Sequence, residues 1–207
     1  MGYDLYGLNP IENTEEPPIL SKFKDNDGWN NWEKMTEKDK DAYCKADTAH
    51  QEENPGIYFR ANVWFWRPLW SFVCGACHDI LSDKNMNAGC FNSGERVSKT
   101  KSVRVASRLR KLDKDGVIQT WEDEMMKHYN KANKHNKKVQ KVLDAITKNC
   151  KEDHGDDVVP MDYPEPYKTQ WNEAYDQRDW GANYPPSREF IMEFAKFAEQ
   201  SGGFEIC

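Results

Sequence analysis

The sequence predicts an α+β fold, mainly helical, in which a small sheet from the two termini packs on a Trp-rich helix and a helical hairpin projects from that core. Three observations predict it. The stretch from Tyr58 to His78 concentrates Trp64, Trp66 and Trp70 beside Arg60, Arg67 and the pair Cys74 and Cys77, and aromatic side chains of this size dominate cores and binding sites. Residues 98–149 carry apolar side chains at helical spacing on both sides of Asp115-Gly116, which reads as helix, turn, helix. Near the C-terminus Ser187 precedes Phe190, Phe194 and Phe197, then Gly202-Gly203 and an apolar tail follow, the order of an N-cap, an amphipathic face and a C-terminal stop.

The elements follow in chain order. Tyr3-Asp4-Leu5-Tyr6-Gly7 alternates and predicts a short edge strand. Residues 10–55 are rich in Glu, Asp, Lys and Asn and read as a polar surface insertion pinned by Phe23, Trp29, Trp32 and Tyr43. Within it Pro17-Pro18 opposes a helix, and Thr36 caps a short one that turns Tyr43 and Ala46 inward. Asn54-Pro55-Gly56 is a turn. Trp66, Trp70 and Val73 then fall at helical spacing. Pro68 suits a first turn, so either a helix starts at Arg67-Pro68 and runs to about Cys77, or a longer helix kinks there.

Asp83 to Gly94 is polar and glycine-containing and reads as a loop. Ser98 caps a helix with Val105, Leu109 and Leu112 on one face. The second helix of the hairpin runs from Val117 to Asn149, with a stripe of Ile118, Trp121, Met125, Tyr129, Ala132, Val139, Val142 or Leu143, and Ile146. Its middle, Lys127 to Lys138, is nearly all Lys, Asn and His and is expected to stand in solvent. Residues 151–186 interleave Pro with Tyr and Trp and read as a loop; the whole chain of 207 residues reads as a single domain.

Composition narrows the function classes. Charged residues make up 31% and hydrophobic ones 38%, with a mean hydropathy of −0.97. The 13% aromatic content is that of a folded chain, not a disordered one. No run of eighteen apolar residues predicts a membrane span, and no basic segment followed by an apolar stretch opens the chain as a secretory leader. The expected compartment is the cytoplasm, where the six cysteines serve as thiols or metal ligands. The net charge of −6 is unevenly spread: Lys99 to Lys141 holds thirteen Lys or Arg against five Asp or Glu, +8, which leaves −14 for the remainder.

Met1-Gly2-Tyr3-Asp4-Leu5-Tyr6-Gly7, Tyr58-Phe59-Arg60 through Trp70, and Ser201-Gly202-Gly203-Phe204-Glu205-Ile206-Cys207 together resemble a family of small, uncharacterised proteins found mostly in bacteriophages and their hosts. The resemblance covers about a sixth of the chain. It implies a phage-type accessory protein, acting in the cytoplasm of the infected or host bacterium, and a core assembled from the two ends and the aromatic block. It implies no chemistry. A defence antagonist, binding a host protein or a nucleotide-derived small molecule, is the concrete form of that expectation.

Three sets of residues carry candidate chemistry. Arg60 and Arg67 beside Trp64, Trp66 and Trp70 can stack a base and grip a phosphate, with Trp180 and Tyr184 closing over it; against this stands the reading of the tryptophans as core. Cys74 and Cys77, with Cys150 and His154 past the long helix, have the spacing of a structural zinc site; against it stands the reading of buried thiols as small hydrophobes. Cys74-Gly75-Ala76-Cys77-His78 also has the haem-attachment spacing, which belongs to exported proteins. Lys127, Lys131, Lys134, Lys137, Lys138 and Lys141 offer a nucleic-acid surface or a solvated helix face. No nucleophile stands beside a base, so the residues make no positive case for catalysis.

Overall fold

The computed structural model describes residues 2–25, 28, 30–91 and 93–207. Among these the chain forms β1 (Gly2–Gly7), α1 (Pro18–Lys22), α2 (Glu37–Glu53), β2 (Tyr58–Asn62), α3 (Val63–Ala76), α4 (Asp83–Phe91), β3 (Glu95–Ser98), α5 (Lys99–Lys114), α6 (Val117–His154), α7 (Tyr167–Asp176), α8 (Arg188–Gln200) and β4 (Gly203–Ile206). It is a mainly helical α+β chain with one small antiparallel sheet. Two compact units are distinguished: Met1–Ile118 with Ser187–Cys207, and Gln119–Pro186.

The first unit is built on the sheet, in the order β2-β1-β4-β3. The two ends of the chain meet there: Leu5 pairs with Ile206 and, on its other side, with Phe59, while Val97 pairs with Phe204. Alternation puts Tyr3 and Leu5 of β1, and Phe204 and Ile206 of β4, on the buried face. Against it lie Trp66, Phe194 and Phe197, all fully buried. Phe194 meets Phe59 and Phe204 edge-on at centroid distances of 5.6 and 5.8 Å, the geometry that ring quadrupoles favour.

Local chemistry fixes the helices. The Asn62 side chain accepts from the amides of Trp64 and Phe65 and starts α3 four residues before Arg67, so Pro68 lies inside a single helix and does not open one. Thr36 and Asp39 form a reciprocal capping box at α2. Ser187 caps α8 through the amide of Phe190. At its far end Gly202 has φ +64 and a Cβ there would lie 1.9 Å from the Asn9 carbonyl oxygen, so both conformation and space demand glycine. Helix α5 packs along α8, with the Ser102 hydroxyl donating to the Ala198 carbonyl and Arg188 gripping Asp113 at 2.6 and 3.1 Å.

In the first unit two expectations of local structure change. Residues 83–91 are helical: Ser82 and Asn85 cap each other's backbone amides, a signal the polar composition obscured. Residues 10–55 contain the 17-residue α2 and their own small core of Leu20, Met35 and Tyr43, with Trp32 edge-on to Tyr43; Trp29 lies outside the described residues. Buried Asn54 ties the two ends of this segment together: its Oδ1 accepts from the amide of Asn13 at 2.6 Å while its Nδ2 donates to Thr14 Oγ1 and the His50 carbonyl.

In the second unit, residues 151–186 include α7 and short 3-10 turns at Pro160–Asp162 and Trp180–Asn183. Val139, Leu143 and Ala174 form its core, flanked by stacked Trp171 and Tyr175. Leu143, not Val142, is the inward residue of the stripe. One face of the Lys127 to Lys138 stretch is covered, because Ala132 is buried, His135 bonds to the Gln177 carbonyl and Asn136 bonds to the backbone of Asp179.

Candidate functional site

An open groove of about 490 Å³ lies between α3 and α4 in the first unit. Helix α3 contributes Arg67, Trp70, Ser71 and Cys74, a spacing of three, four and seven residues that places all of them on one helical face. The facing wall is Met86, Asn87, Gly89, Cys90 and Phe91 of α4, and Tyr3 of β1 closes one end.

Ring hydrogen bonds hold the two walls in register. The Trp70 indole donates to the Met86 carbonyl at 2.9 Å, the Trp66 indole to the Gly89 carbonyl at 2.6 Å, and the Tyr3 hydroxyl to the Cys90 carbonyl at 3.0 Å. The last four carbonyls of a helix have no partner within it, and Tyr3 and Trp66 satisfy two of those at the end of α4. Behind them Tyr3, Trp66 and Trp70 form one stack, each neighbouring pair 5.0 Å apart. The groove is therefore shaped by buried, rigid aromatic rings, whereas Phe91 on its rim is 77% exposed.

The groove's lining carries little charge. Arg67 is the single charged side chain in the lining among the described residues. Burial, reinforced by the nearby Cys90 and Cys77 thiols, pushes the Cys74 thiol up to about 12. Burial also raises the Tyr3 hydroxyl, an effect that Arg67 partly offsets. Both groups are neutral near pH 7, and a thiol held protonated is a poor nucleophile. With no histidine or carboxylate in the described lining, the geometry offers an apolar slot with one cation at its edge.

The sequence-derived candidates divide sharply. Arg67, Trp70 and Cys74 come together in the groove. Trp66 is wholly buried and belongs to the core. Arg60 is exposed on β2 beside Asp4, at 3.7 Å, and Trp64 is 44% exposed in the first turn of α3. Trp180 and Tyr184 belong to the second unit, where Trp180 sits edge-on to Tyr175 at 5.7 Å.

Of the four cysteine and histidine candidates, Cys77 is buried next to the Arg108–Asp79 ion pair, and burial lifts its thiol to about 11. Cys150 is buried in α6, and His154 lies edge-on to Tyr167. Among the described residues no group of three or more His, Cys, Asp or Glu is gathered as a metal would need. No described helix is long and apolar enough to cross a membrane. Comparison of the chain with protein-family models, with curated proteins and with solved structures gives no match.

The α4 wall, Met86 to Phe91, and Tyr3 were not legible as site residues. The reciprocal Ser82-x-x-Asn85 cap was the available signal for α4, and the run 67, 70, 71, 74 was the available signal for a groove-facing side of α3.

Proposed function

We propose that the chain is a non-catalytic binding protein whose α3–α4 groove holds a small ligand with a flat apolar part and an anionic group, a nucleotide-derived molecule being the class that fits. The supporting observation is the placement of the Arg67 guanidinium at the edge of a rigid, apolar groove of about 490 Å³. Small-molecule sites are typically concave and mostly apolar, with volumes of about 300–1,000 Å³ and few polar groups. Guanidinium forks match phosphate and carboxylate oxygens, and exposed Phe91 supplies a ring for a base to stack on.

In the setting implied by the resemblance to small phage proteins, such a groove withdraws a host signal nucleotide in the bacterial cytoplasm, and the protein acts as a defence antagonist. Its task there is capture without turnover, in keeping with two protonated groups, Cys74 and Tyr3, in the lining. The test is a thermal-shift and calorimetric screen of nucleoside monophosphates, cyclic mononucleotides and cyclic dinucleotides. A binder whose affinity falls by about tenfold to a hundredfold in Arg67→Ala supports the reading, since a charge-assisted hydrogen bond contributes about 1.5–3 kcal/mol. Absence of binding across the panel at millimolar ligand overturns it.

A further inference from the structure

We infer that the exposed face of α6 binds the phosphate backbone of a nucleic-acid duplex without regard to sequence. Lys127, Lys131, Lys134, Lys138 and Lys141 follow one another at intervals of four, three, four and three residues, the repeat that keeps side chains on a single helical face. The fourteen helical steps from first to last make the row about 21 Å long. All five are exposed, and among the described residues none is engaged in an ion pair. The opposite face of the same stretch carries buried Ala132, Val139 and Leu143, so folding of the second unit directs the lysines outward.

The charge is also undiluted. From Met125 to Leu143 there are six lysines, counting Lys137, and no Asp or Glu, a local charge of +6 in a chain whose net charge is −6. Such a row complements a regular array of phosphates, and binding then comes from counterion release. The observations favour a duplex over other polyanions. An anionic membrane surface calls for Trp, Phe or Leu beside the basic residues, and a folded protein partner calls for buried aromatic or arginine anchors. Residues 127–141 contain no Trp, Phe, Leu or Arg. Lysine, a point charge on a flexible stem, suits phosphate without base readout.

The experiment is fluorescence anisotropy of the full chain with a labelled 20-base-pair DNA duplex of random sequence, repeated from 50 to 200 mM salt. Five phosphate contacts predict a log–log slope near −4.5, a loss of about 500-fold across that range. Lys131→Gln/Lys134→Gln/Lys138→Gln, all at exposed helix positions, is expected to reduce the slope to about −1.8 with an unchanged circular dichroism spectrum. Equal affinity for a second duplex of unrelated sequence also supports the inference. An absence of duplex binding at 50 mM salt, an unaltered slope in the triple variant, or tighter binding to phosphatidylserine vesicles or to an acidic polypeptide than to the duplex overturns it.

Discussion

Gly89 lies directly on the indole of Trp70: a Cβ at position 89 would come within 2.1 Å of the ring. The contact lets α4 approach α3 closely enough for Trp66 and Trp70 to donate to α4 carbonyls, so one glycine sets the width of the groove. Gly89→Ala is expected to cost about 1–3 kcal/mol through overpacking. Gly75, on the open side of α3 with nothing near its Cβ position, is the control. Gly75→Ala is expected to gain up to about 1 kcal/mol from helix propensity. Urea denaturation of both variants checks the pair.

Trp66 and Phe91 separate fold from function. Trp66 is fully buried and bonded to Gly89, so Trp66→Ala should cost about 3–5 kcal/mol. Phe91 stands on the groove rim, and Phe91→Ala should leave stability within about 0.5 kcal/mol while weakening nucleotide binding by about tenfold. Denaturation midpoints and calorimetric titration of the two variants read the contrast.

Asn54 anchors residues 13–14 to the end of α2 by filling both ends of its amide. Asn54→Ala leaves the Asn13 amide and the Thr14 hydroxyl without this partner and should cost about 1–3 kcal/mol. Hydrogen exchange at Asn13 and Thr14 should rise in the variant, and unchanged exchange there would contradict the anchoring role.

The Cys74 thiol sets a pH dependence. Cys74 has its proton held up to about 12, against an ordinary 9.0. The folded chain thus keeps a proton that the unfolded chain has released, and stability falls as pH rises from 9 toward 12. At pH 8 the thiolate fraction of Cys74 is far below that of an ordinary thiol. Iodoacetamide labelling followed by peptide mass spectrometry should mark exposed Cys44 well before Cys74, and Cys74→Ala should flatten part of the alkaline decline.

What the sequence made legible were features carried by local pattern. The Thr36 and Ser187 caps and the stop at Gly202 follow from residue types whose backbone consequences are fixed nearby. The α4 wall was not legible, because Asn85, Asn87 and Gly89 resemble loop residues until Trp70 and the Ser82 cap are placed beside them. For the same reason the tryptophans of one short stretch could not be sorted in advance. Trp64, Trp66 and Trp70 look alike in sequence, yet helix phase leaves the first exposed, buries the second wholly and puts the third at the groove.

The most direct test of groove binding is a 15N–1H spectrum of the tryptophan indoles, titrated with the nucleotide that gives the largest thermal shift in the screen. The Trp70 resonance, assigned through Trp70→Phe, should move with saturation while Trp180, in the other unit, stays in place. A shift confined to Trp180, or a Trp70 signal unmoved at saturating nucleotide, would contradict the assignment of the α3–α4 groove as the ligand site.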